Sequence, residues 1–111
     1  MPLSITTQTV DCITVIALSG QIDYTDREQL QQALAPPGSH PLRVVVDLSG
    51  VTFMDSTGLN LLIGAYHALT AAHGWLRLAE PAETVTRALQ ITGIDRLIPC
   101  YPNLQHALPD H

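Results

Sequence analysis

Asp47-Leu48-Ser49-Gly50-Val51-Thr52-Phe53-Met54-Asp55-Ser56-Thr57-Gly58-Leu59 is the stretch on which the fold turns. An apolar run from Val44 to Leu48 leads into it and predicts a strand, and a helix-spaced apolar run to about Ala72 leads out. Between the two, Asp55-Ser56-Thr57-Gly58 reads as a short polar turn at a strand-to-helix junction. A hydroxyl there lies at the positive end of a helix, where anions are favoured. Ser56 is therefore the foremost candidate functional residue, with the arrival and departure of a phosphate as its chemistry.

Downstream, Leu59, Leu62, Ile63, Tyr66 and Leu69 trace one helix face. The small residues Gly64, Ala65 and Ala68 allow close neighbours, and Gly74 predicts the stop. Trp75 to Ala79 is a further short strand. Pro81 suits the first position of the next helix, whose inner face is Val85, Ala88 and Leu89. Gly93-Ile94 has the pattern of a Schellman ending. Leu97 to Tyr101 predicts a last strand that Pro99 confines to an edge, and Asn103 to Leu108 a short terminal helix.

Upstream, Leu3 to Val10 alternates as a half-buried edge strand. Ile13 to Leu18 is a richer β-branched run, so the tight Asp11-Cys12 link predicts an antiparallel hairpin. Thr25-Asp26-Arg27-Glu28 reads as a capping box ahead of Leu30, Ala33 and Leu34, and the loop Pro36 to Pro41 stops that helix. Val44-Val45-Val46 is apolar on both faces, which predicts a central strand. The order β-β-α-β-α-β-α-β-α implies an α/β fold: a mixed sheet with an N-terminal antiparallel hairpin, then parallel βαβ units, in a single domain over residues 1–111.

The composition narrows the functions. A chain of 111 residues, 46% apolar and 14% charged, is globular. The net charge of −5 disfavours nucleic acid and anionic membranes as partners. All five basic residues are arginine, so P-loop, Schiff-base and general-base lysine chemistry are excluded. No apolar run approaches the ~20 residues that cross a bilayer, and Met1-Pro2-Leu3-Ser4 lacks a leader pattern. A cytoplasmic location is expected, without membrane insertion. Cys12 and Cys100 form no C-x-x-C pair and read as small buried residues in a reducing compartment. His67 and His73, six apart, do not share a helix face as a metal pair would, and His40, His106 and His111 lie in the proline loop or near the C-terminus. No metal site or cofactor is expected.

The run D-L-S-G-V-T-F-M-D-S-T-G-L resembles the signature of STAS domains, in particular the bacterial anti-sigma factor antagonists. The likeness extends from about Leu3 to Leu108 and includes Gly20-x-Ile22-Asp23 and Thr92-Gly93-Ile94-Asp95-Arg96-Leu97. In that family the serine after the aspartate of D-S-[ST]-G is phosphorylated by a partner kinase that is itself the anti-sigma factor. The resemblance therefore implies Ser56 as phosphate acceptor, with Asp55 beside it and Asp23 on the loop bordering the same turn. Met54, Thr57, Gly58 and Leu59 complete the implied partner-binding set. A phosphatase would reset the switch. Asn60 departs from the family pattern, where glycine is frequent, and the loop Pro36 to Pro41 is unusually proline-rich.

Rival readings have separate signals. As a nucleophile Ser56 lacks a G-x-S-x-G elbow, and chain order places no histidine beside it. Aspartic-protease D-[ST]-G needs glycine directly after the hydroxyl residue, and Thr57 intervenes. A small nucleotide-binding hydrolase is thus disfavoured, and no enzyme activity is expected. A second alternative keeps the fold: a STAS scaffold subunit of a lipid-transport or stress-signalling complex. Taken alone, Asp55-Ser56-Thr57-Gly58 is an ordinary helix cap; only the longer run favours the switch.

Overall fold

The computed structural model describes residues 3–34 and 43–108. The proline loop expected at Pro36 to Pro41, with its His40, lies outside the described residues, as does His111.

Strands β1 (Ser4–Val10) and β2 (Ile13–Ile22) form the expected antiparallel hairpin, with Val10 opposite Ile13. Asp11 and Cys12 make its turn with φ of 49° and 67°, the pair of positive values a two-residue hairpin turn requires. Strand β3 (Arg43–Met54) lies parallel to β2 on one side and to β4 (Trp75–Ala79) on the other. A two-residue β5 (Cys100–Tyr101) closes the sheet, in the order β1-β2-β3-β4-β5. The valine-rich run is the central strand, as its two-sided apolarity demands.

Three helices, α1 (Arg27–Leu34), α2 (Ser56–Ala71) and α3 (Glu83–Thr92), cover one face of this sheet. Their Leu30, Leu34, Leu59, Leu62, Leu69, Val85 and Leu89 meet Ile16, Leu18, Val44, Val46, Leu48, Leu76 and Leu78. Each such buried side chain contributes roughly 1.5–3 kcal/mol. On the opposite face Ile13, Val15, Val45 and Ala79 pack against Ala107 of the short α5 (Leu104–Ala107). Arg77 pins α5 there. Its guanidinium lies 4.1 Å from the Trp75 ring centre and 5.4 Å from that of Tyr101, and it donates to the Ala107 carbonyl at 2.9 Å.

Several elements depart from expectation. β3 does not end at Leu48 but continues to Met54, beside an extension of β2 to Ile22. Gly50 makes this possible: a Cβ there would lie 2.6 Å from the Cβ of Ser19, so the glycine serves close strand approach and not a turn. The box expected at Thr25 and Glu28 sits two residues earlier, where Asp23 caps a 3-10 turn (Tyr24–Asp26) and Asp26 bonds back to the Asp23 N–H. The stop of α2 is a Schellman motif with His73, at φ 65°, and not Gly74 in the left-handed position.

At the C-terminal side, Pro81 precedes α3 by two residues, since Ala82 is the cap. Gly93 adopts φ 79° as expected. The last strand is confined to Cys100 and Tyr101, because Leu97 belongs to a short helix α4 (Ile94–Leu97). Neither cysteine is a core residue: Cys12 and Cys100 are both exposed.

Candidate functional site

The site lies where β2 and β3 end and α1 and α2 begin, the carboxyl edge of the parallel strands. Asp55 leaves the strand with extended backbone and caps α2. Its carboxylate accepts from the N–H groups of Thr57 at 2.9 Å and Gly58 at 3.3 Å. Its own N–H donates to the Ile22 carbonyl at 3.1 Å, which ties the start of α2 to the end of β2.

Asp55 thus does the capping that Ser56 would otherwise have done. Ser56 is the first residue of α2, it is exposed, and its hydroxyl makes no hydrogen bond to any other described residue. Its hydroxyl is not needed to hold the helix end.

Across the rim, Asp23 is half-buried and accepts from the Thr25 hydroxyl and, at 2.9 Å, from the Thr25 N–H. The hydroxyl first, and the backbone N–H second, hold its carboxyl below the usual value. Asp23 therefore stays anionic at neutral pH and orders the loop that borders Ser56.

The predicted partner-binding residues divide into two groups. Asp23, Asp55, Ser56 and Thr57 reach the surface in whole or in part. Met54, Gly58 and Leu59 are buried, so the contact expected from the side chains of Met54 and Leu59 is corrected. They support the rim from beneath. Gly58 is the tightest point: a Cβ there would meet Met54 Cγ at 2.5 Å and Ile22 Cγ2 at 2.9 Å. Only glycine lets α2 descend onto both strands at this position.

The exposed apolar surface comes from residues the sequence reading passed over. Tyr24 is 74% exposed and Phe53 50%. Phe53 pairs with Gln21 on the extended strands, one position before buried Met54, so strand alternation turns its ring outward. No alternation in the sequence signals this, because register shifts against β2 between Ala17 and Ser19 and between Gly20 and Gln21 interrupt the parity along β3. Beside Ser56, Tyr24, Arg27, Thr57, Asn60 and Leu61 line one shallow groove between α1 and α2.

A family model described as the STAS domain matches residues 4–107. The chain is 31% identical over 99 residues to the anti-sigma-B factor antagonist of Staphylococcus aureus strain NCTC 8325 / PS 47, covering 88% of this chain and 92% of that one. It is 27% identical over 100 residues to the anti-sigma F factor antagonist of Paenibacillus polymyxa, covering 88% and 86%. Among solved structures, an anti-sigma factor antagonist from Mycobacterium paratuberculosis superposes with a TM-score of 0.86 at 30% identity, covering 96% of this chain and 91% of that one.

Proposed function

This chain belongs to the STAS domain family, and from that premise we propose that it is an anti-sigma factor antagonist which phosphorylation of Ser56 switches off. In the unmodified state the rim of Asp23, Tyr24, Phe53, Ser56 and Thr57 docks on an anti-sigma factor that is also a serine/threonine kinase. The sigma factor is thereby released. The chain is the substrate of the phosphoryl transfer and not its catalyst: ATP belongs to the kinase, and a phosphatase restores the active form. The circuit is cytoplasmic, in keeping with the absence, among the described residues, of any helix long and apolar enough to cross a membrane.

One observation carries this reading: Ser56 is an exposed hydroxyl at a helix start whose cap is already supplied by Asp55. The hydroxyl is free to be modified without loss of a structural bond. Phosphorylation adds about −1.5 to −2 charge at neutral pH. The α2 N-terminus favours that charge, and the carboxylates of Asp55 and Asp23 oppose it.

At a docked interface the phosphate must be desolvated or expelled. A penalty of ~3–4 kcal/mol lowers affinity by a few hundredfold. The antagonist is turned off with no refolding of its sheet.

Incubation with the cognate kinase and ATP, followed by intact-mass measurement and peptide mapping, tests the proposal. One phosphate on Ser56, absent from Ser56→Ala, is the expected result. A phosphate placed elsewhere, or none, overturns it.

A further inference from the structure

Arg27 shares the groove beside the acceptor. The groove is walled by Tyr24 and Arg27 on one side and by Thr57, Asn60 and Leu61 of α2 on the other. Thr57 directly follows Ser56 and Asn60 lies one helical turn beyond it, so a group attached to the Ser56 oxygen sits at the groove mouth. Arg27 is exposed, and its side chain makes no ion pair or hydrogen bond with any other described residue. By contrast Arg77 is engaged with two rings and the Ala107 carbonyl, and Arg87 faces Glu83 at 3.4 Å.

Among the described residues the charge around this groove is otherwise negative. The segment carrying Arg27 also contributes Asp23, Asp26 and Glu28, and α2 is preceded by Asp55. Asp23 and Asp26 are committed to the loop's own N–H and hydroxyl groups. α2 itself contains no lysine, arginine, aspartate or glutamate. A phosphate dianion on Ser56 would thus enter a field of carboxylates in which Arg27 is, among the described residues, the one cation lining the adjacent groove. A guanidinium is the side chain best shaped to take two phosphate oxygens at once.

We propose that Arg27 is the built-in counter-ion of the modified site, which swings across the groove to hold the phosphate monoester on Ser56. The proposal rests on the phosphorylation of Ser56 put forward above, and it adds a consequence. The modified chain holds its own phosphate against α1, which offsets the neighbouring carboxylates and draws the anion over the groove that Tyr24 and Leu61 border. Removal of the cation leaves the phosphate less acidic and more weakly ordered.

The test uses full-length chain in which phosphoserine is installed at position 56 by chemical ligation, so that it does not depend on the kinase. Phosphorus NMR titration reads the second ionisation of the phosphate. In Arg27→Gln it is expected to rise by roughly 0.2–0.7 pH unit relative to the parent. Arg27→Lys should recover most of the difference, Arg87→Gln should show none, and the effect should shrink in ~1 M salt. An identical titration in the parent and Arg27→Gln, both folded by circular dichroism, overturns the counter-ion. The kinase reaction described above fails or succeeds independently of this titration, so the two proposals are separable.

Discussion

Asp55 donates its backbone N–H to the carbonyl oxygen of Ile22 across 3.1 Å, and this bond fixes the ends of β2 and β3 against each other. It places the loop of Asp23 and Tyr24 beside the first turn of α2. Two neighbouring parallel strands thereby present a single rim, with Ser56 on its outer lip.

The cap is separable from the acceptor. Asp55→Ala removes the side-chain bonds to Thr57 and Gly58 but keeps the backbone bond to Ile22. Urea denaturation should show a loss of about 1 kcal/mol, and Asp55→Asn should stay within a few tenths of the parent because asparagine caps almost as well. Ser56→Ala, which removes no bond, should unfold within about 0.5 kcal/mol of the parent.

Two glycines of α2 should respond in opposite directions. A methyl at Gly58 collides with Met54 and Ile22, whereas one at Gly64 meets nothing within 4 Å. Gly58→Ala should cost about 1–3 kcal/mol through overpacking. Gly64→Ala should gain about 0.5–1 kcal/mol through helix propensity. Parallel urea titrations check both.

The strand-and-helix pattern was legible because periodicity and turn chemistry agreed. Ile13 to Leu18 and the triple valine could only be strands, and the spacing of Leu59, Leu62 and Leu69 could only be a helix face. The rim was less legible for a definite reason. Gly50 admits the close approach of Ser19, so the strand continues past Leu48, and two register shifts against β2 then interrupt its in-out alternation. The burial of Met54 and the exposure of Phe53 therefore follow from the strand register and not from the residue pattern. The cap of α1 was misplaced because Asp23 and Thr25 are both good caps. The extension of β2 to Ile22 decides between them, and that is a tertiary fact.

Asp23 gives the loop a pH dependence. Its folded pKa is depressed by the Thr25 hydroxyl and N–H. The stability it contributes is therefore present above the unfolded carboxylate value, about 3.9, and is lost as pH falls through the lower folded value. Acid titration of Asp23→Asn should show a shallower loss of stability below about pH 4 than the parent. Equal slopes would mean that the bonds to Thr25 do not persist in solution.

The two cysteines should react at different rates. Burial of the Cys100 sulfur, and secondarily the charge of Asp95, push its thiol up to about 11, and the sulfur lies 3.4 Å from the Ile98 carbonyl. Thiolate is the reacting species, so at pH 8 iodoacetamide should modify Cys12 well before Cys100, as peptide mapping against time will show. Both residues reach the surface, but burial of the Cys100 sulfur lowers its acidity and its access together, and both act in the same direction.

The most direct measurement is the affinity of the anti-sigma partner for this chain before and after one phosphate is placed on Ser56. The switch predicts tight binding of the unmodified chain and of Ser56→Ala, and affinity lower by a few hundredfold for the phosphorylated chain, with Ser56→Asp also weakened. Equal affinity of the modified and unmodified chains would contradict it.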